Sequence, residues 1–172
     1  AHAGCEITTS GYNVYLGDSA GRNMQTGDYN FAGGYAALHG SGTAADNSGD
    51  YNVALGYKAG NVITSGASNV LIGQNAGDAI TTGSNAIAIG VHALSAEDTA
   101  GSGAVAIGYY ALKSQNADYG NNVAIGYCAG ASQVNTTESV YIGYEAGKDA
   151  TGSANVVIGG KALESSTAGE NN

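Results

Sequence analysis

Proline and tryptophan are absent, methionine and phenylalanine occur once each, and cysteine occurs twice in 172 residues. Charged side chains make up only 11% of the chain, against about 25% in an ordinary globular domain. Only 5 of them are basic against 14 acidic, a net charge of −9. Phosphate backbones are bound by clustered Lys and Arg, so this balance argues against a nucleic-acid partner. It argues equally against an anionic membrane surface. No apolar run approaches the ~18 residues of a membrane span. Cys5 and Cys128 lie too far apart in the chain to form a metal cluster or a disulfide framework. His2, His39 and His92 stand at no metal-ligand or catalytic-triad spacing, and no nucleophile elbow, phosphate loop or paired carboxylate rises above the background. No cofactor, metal site or enzymatic activity is expected.

Glycine is abundant, at 29 residues, and it is periodic. One phrase recurs nine times: Asn13-Val-Tyr-Leu-Gly17, Asn30-Phe-Ala-Gly-Gly34, Asn52-Val-Ala-Leu-Gly56, Asn69-Val-Leu-Ile-Gly73, Ala86-Ile-Ala-Ile-Gly90, Ala104-Val-Ala-Ile-Gly108, Asn122-Val-Ala-Ile-Gly126, Ser139-Val-Tyr-Ile-Gly143 and Asn155-Val-Val-Ile-Gly159. The final glycines are spaced by 17, 22, 17, 17, 18, 18, 17 and 16 residues. The one long interval carries the polar stretch 39–50, which reads as an inserted surface loop. Its Asp46, Asn47, Ser48 and Asp50 offer oxygen ligands for calcium, but no full calcium-loop pattern surrounds them.

Three residues before the central glycine sits Val, Ile or Phe. One before it sits Ile or Leu in every copy but that of Gly33. An apolar period of two is the period of a β-strand, not of a helix. Three residues after the glycine stands Ala in all nine copies, and the next residue is always Gly or Leu. A second glycine recurs seven residues before the first, at Gly27, Gly49, Gly66, Gly83, Gly101 and Gly152, after Thr or Ser in five of the six and marking a further corner. The expected fold is all-β: a parallel β-solenoid or β-roll of nine ~17-residue coils, stacked at the ~4.8 Å strand spacing and spanning residues 1–172 as one repetitive domain.

The strand is apolar on both faces, so both are expected to be buried. The larger Val–Ile pair is assigned to the coil interior. The smaller residue between them, Ala in Ala32, Ala54, Ala88, Ala106 and Ala124, is assigned to an axis shared with identical chains. A homotrimer is the simplest closure giving a fibre. The chain opens midway through a coil at Ala3-Gly4 and closes where another strand would begin, as expected of a segment of a longer fibre or of subunits stacked end to end.

The phrases Asn122-Val-Ala-Ile-Gly-Tyr-Cys-Ala-Gly130 and Asn52-Val-Ala-Leu-Gly-Tyr-Lys-Ala-Gly60 resemble the head repeats of trimeric autotransporter adhesins. The longer unit containing Thr81-Thr-Gly-Ser-Asn85 resembles repeats of bacteriophage tail fibres. The resemblance implies a trimeric β-roll, an extracellular place on a virion or cell surface, and a part in host attachment. A bacterial adhesin head and an end-to-end filament subunit stay open beside the phage fibre. Tyr follows the central glycine at Tyr35, Tyr57, Tyr109, Tyr127 and Tyr144. A column of aromatics can stack on itself or on sugar rings, which makes these five the candidate contacts for cell-surface glycan. The Asn residues opening the strands are expected to form an amide ladder, and the Thr or Ser residues at the second corner to serve turn chemistry.

Overall fold

The computed structural model describes residues 2–42, 47–96, 103–115, 120–134 and 136–164. It contains β1 (Val14–Leu16), β2 (Phe31–Gly33), β3 (Val53–Leu55), β4 (Val70–Ile72), β5 (Ile87–Ile89), β6 (Val105–Ile107), β7 (Val123–Ile125), β8 (Val140–Ile142) and β9 (Val156–Ile158), and no helix among the described residues. The nine strands form one parallel sheet in sequence order, so each coil stacks on the one before it. Every recurrent phrase is therefore one strand of a β-solenoid. The register aligns equivalent positions across the sheet, from Val14 opposite Phe31 to Ile142 opposite Ile158. The 39–50 insertion leaves this register intact: Phe31, Ala32 and Gly33 still pair with Val53, Ala54 and Leu55. Coils are numbered below by their strands.

The strand faces are the reverse of the sequence expectation. The middle residue points into the coil: Ala32, Ala54, Leu71, Ala88, Ala106, Ala124 and Tyr141 are all fully buried. Its neighbours point outward, half-buried within the stack and as exposed as 59% at Leu16 and 65% at Ile158 on the terminal strands. The small residue thus belongs to the interior rather than to an axis between chains. The physical reason is space, because each short coil must also house the alanine after the glycine and a further side chain from the next corner.

Interior packing follows a rule of size. Where the middle residue is Tyr or Leu, the residue four after the glycine is Gly: Tyr15 with Gly21, Leu71 with Gly77, and Tyr141 with Gly147. A Cβ on Gly77 would sit 2.7 Å from Leu71 Cδ2, and one on Gly147 would enter the Tyr141 ring. Where the middle residue is Ala, a buried Leu usually takes the second place, as in Leu38, Leu94 and Leu112. Coils 3 and 7 have neither, and their neighbours fill them. A Cβ on Gly130 would lie 2.9 Å from Leu112 and 3.0 Å from Tyr141 of the adjacent coils. A third interior column, seven residues after the glycine, carries buried Met24, Ile63, Ile80, Gln115, Gln133 and Ala150. Outside the strands the coil turns through left-handed backbone. The residues two after the central glycine, Ser19 through Lys161, and four after it, the Gly or Leu position, have φ between 47° and 58°, and the residue before each ladder Asn lies in the same region, from 39° at Asn121 to 59° at Ser68.

The central glycines are required by close approach. Their φ runs from 122° to 139°, and a Cβ on Gly56 or Gly73 would lie 2.5 Å from the carbonyl oxygen of the next coil's glycine. That is a backbone obstacle which cannot rotate away. Of the second-corner glycines, Gly27, Gly49 and Gly66 face the same kind of contact, while Gly101 lies outside the described residues. The Asn column forms the expected ladder. Asn30, Asn52 and Asn69 are buried, and each side-chain oxygen accepts the backbone N–H one coil on, at 2.8 Å from Asn52, 3.0 Å from Asn69 and 2.9 Å from Ala86. Their amide groups donate to the corner carbonyls of Gly49, Gly66 and Gly83 at 2.8–2.9 Å. The ladder thereby satisfies the buried side chains of Asn30, Asn52 and Asn69 themselves.

Candidate functional site

The outward face of the sheet is a broad apolar strip. Its two inner rows are the residues three and one before the central glycine, among them Val53 and Leu55, Ile87 and Ile89, and Val105 and Ile107. Tyrosine columns flank these rows on both sides. Of the five tyrosines singled out by sequence, Tyr35 stacks on Tyr57 with ring centroids 5.4 Å apart. Tyr109, Tyr127 and Tyr144 stack in a second group at 5.1 and 5.3 Å. Gln74 and Val91 separate the groups. All five are 40–51% exposed, so each presents part of a ring and its hydroxyl to solvent.

A second column was not anticipated. Tyr12, Tyr29 and Tyr51, five residues before the glycines, stack at 4.9 and 5.0 Å with nearly parallel rings. Each has φ of 57°, a conformation in which a bulky side chain is uncommon. Their recurrence at one repeat position was the available signal.

The Tyr109 phenol is pushed up to about 12, first by its hydrogen bond with Tyr110 and then by desolvation. Tyr127 is also raised, chiefly by the neighbouring Cys128 thiol. Desolvation raises Cys128 itself, which marks it as a structural rather than a reactive thiol. Cys5 is an exposed free thiol in the coil preceding β1.

Beyond the tyrosines, the corner residues two and five after the glycine pair with each other in coils 4, 6, 8 and 9. Asn75 donates to Asp78 at 2.8 Å. The Lys113 ammonium lies 4.3 Å from the Tyr110 ring centroid. Glu145 meets Lys148 at 3.5 Å and Lys161 at 3.2 Å, and Lys161 meets Glu164 at 3.3 Å. Burial pushes the Glu145 carboxyl up, but the hydrogen bond from Lys161 and the charge of Lys148 outweigh it and hold the group below its ordinary range.

The insertion's oxygen atoms are largely taken up by the fold. Asn47 is buried, its side-chain oxygen accepts from the Ser41 N–H, and its amide donates to the Asn23 and Ser41 carbonyls. Asp50 accepts from the Asp28 N–H at 2.8 Å. Asp46 lies outside the described residues. No group of three His, Cys, Asp or Glu side chains among the described residues is placed to hold a metal ion. His2, His39 and His92 lie in different coils. Among the described residues no helix is long and apolar enough to cross a membrane. Comparison with protein-family models, with curated proteins and with solved structures returned no match.

Proposed function

We propose that this chain is a structural and adhesive segment of an extracellular attachment fibre, assembled as a homotrimer and carried on a virion in the manner of a bacteriophage tail fibre. The observation that carries the reading is the outward Val/Ile strip. Nine strands at ~4.8 Å make it ~43 Å long, and the roughly six residue steps from one tyrosine column to the other make it ~20 Å wide at ~3.3 Å per residue. The resulting ~850 Å² is close to the ~800 Å² that each partner buries in a standard stable interface. Contiguous apolar patches of that size mark interaction surfaces. The occupant that fits is a second copy of the same face. It repeats at the coil spacing and is free of charge along its inner rows, so the strips of three copies can meet around one axis parallel to the sheet stack.

On this reading the role is mechanical rather than enzymatic: a rod that holds or presents receptor-binding surface at a distance from its base. The tyrosines after the central glycines supply the adhesive part. Their side chains pair an apolar ring with a hydroxyl, the combination that stacks on sugar. Each contact is shallow and repeated, so avidity rather than a single deep pocket sets the strength of attachment. A glycan array probed with the assembled protein, and with Tyr57→Ala and Tyr127→Ala, tests the adhesive part. Binding by the wild type that falls in both variants is expected. Silence of the wild type would reduce the segment to a spacer.

A further inference from the structure

Two of the chain's 5 Lys and Arg side chains, Arg22 and Lys58, gather with His39 on one corner of coils 1 to 3. In coils 4, 6, 8 and 9 the residues two and five after the glycine partner each other, as described above. In coils 1, 2 and 3 the same positions read Ser19 and Arg22, Ala36 and His39, and Lys58 and Asn61, with no carboxylate in any of the three pairs. Ala36 is the only one of these that is apolar and small, and its short side chain leaves a hollow between Ser19 and Lys58. Together with Tyr35 these residues line an open cleft of about 230 Å³. It is smaller than the roughly 300–1,000 Å³ of a pocket for a drug-sized ligand, and of a scale to take a single sugar unit.

We infer that this cleft binds an acidic saccharide, a sugar unit bearing a carboxylate, through Lys58 and Arg22. The inference rests on the reading of Tyr35 as part of a sugar-contacting column. Among the described residues Lys58 makes no ion pair; its ammonium lies 5.5 Å from the Tyr57 ring. Arg22 Nε is shielded from solvent and lacks a hydrogen-bond partner. Its one ion pair, with Glu6 at 3.6 Å, joins two half-exposed side chains, and such surface pairs contribute little. The other nearby carboxylates are Asp18, to which Ser19 donates a hydrogen bond, and Asp78, which is held by Asn75.

Guanidinium and ammonium groups recognise carboxylates by charge-assisted hydrogen bonds. The remaining walls suit the rest of a sugar. The His39 ring, whose Nδ1 lies 2.9 Å from the Gly40 carbonyl, lines one side with a polar edge. Asn61 offers a donor and an acceptor, and the Tyr35 ring offers an apolar wall.

The test is calorimetric titration of the full chain with oligogalacturonate and with its neutral methyl ester, alongside Arg22→Gln, Lys58→Gln, Lys148→Gln and Tyr127→Ala, each checked by circular dichroism. The acidic oligomer is expected to bind about tenfold more tightly than the ester, as loss of one or two charge-assisted hydrogen bonds implies. Lys58→Gln and Arg22→Gln should each weaken it about fivefold or more, and Lys148→Gln less than twofold. Equal affinity for the two oligomers, an equal loss in Lys148→Gln, or no binding of either oligomer would overturn the inference. If both oligomers bind equally and Tyr127→Ala abolishes both, the cleft is refuted while the tyrosine column stands. If Lys58→Gln alone abolishes a preference for acid and Tyr127→Ala changes nothing, the cleft stands and the column is refuted as the contact.

Discussion

Tyr141→Ala empties coil 8, where the ring is fully buried against Gly147 of its own coil and Gly130 of the one before. Truncating a buried aromatic to alanine costs about 3–5 kcal/mol. Gly147→Leu is damaging for the opposite reason. Its Cβ would enter the Tyr141 ring, and the backbone there has φ of +57°. Overpacking costs about 1–3 kcal/mol and left-handed backbone about 1–2 kcal/mol more. Together, however, the two changes recreate the alanine–leucine pairing of Ala88 with Leu94 and Ala106 with Leu112, where leucine is accommodated at φ of 52° and 48°. The double variant should therefore fall short of the summed single costs by about 2 kcal/mol, within the range of coupling between residues in contact. Urea unfolding followed by circular dichroism measures the cycle, and hydrogen exchange at Val140–Ile142 localises it. Strict additivity would refute the idea that the two columns fill one shared volume.

Gly108→Ala should cost about 3 kcal/mol or more, since its Cβ meets a backbone carbonyl at φ of 136°; Gly160→Ala, with nothing within 4 Å of the added carbon, should change thermal stability by about 0.5 kcal/mol at most. Asn69→Ala strands the Ala86 N–H and the Gly83 carbonyl, so a loss of about 2–4 kcal/mol in urea unfolding is expected. Glu145 has a lowered folded-state pKa, so its contribution is present above the ordinary Glu value of 4.5 and is lost as pH falls through the lower folded value. Across a pH series, the stability gap between wild type and Glu145→Gln should close on the acid side; a gap unchanged down to full protonation would refute the ion cluster's role.

Much of this architecture can be read from the chain. The period-two strands, the corner glycines and the 39–50 insertion all follow from repeat spacing, because stacking forces equivalent residues onto equivalent places. Which strand face turns inward does not follow. Val and Ile on one side and Ala on the other are all apolar, so hydrophobicity carries no sign to separate them. The discriminating signal is subtler: Tyr15, Leu71 and Tyr141 occur with Gly21, Gly77 and Gly147, while Ala32, Ala88 and Ala106 occur with Leu38, Leu94 and Leu112. Residues that exchange bulk in this way share an interior. The Tyr12, Tyr29 and Tyr51 column stayed hidden because nothing in a tyrosine announces a positive φ. The basic cleft stayed hidden because Arg22, His39 and Lys58 lie 17 and 19 residues apart and meet only through the stack.

The most direct test of self-assembly through the outward strip compares two neighbouring residues of β6 by light scattering and circular dichroism. Wild type is expected to be a trimer. Ile107→Glu combined with Ile89→Glu should give a folded monomer, because the new charges lie on the outer face. Ala106→Glu should fail to fold at all, since it buries an unpaired carboxylate inside the coil. A monomeric wild type, a trimer that survives both outward charges, or a well-folded Ala106→Glu would contradict the assignment of the faces and the assembly built on it.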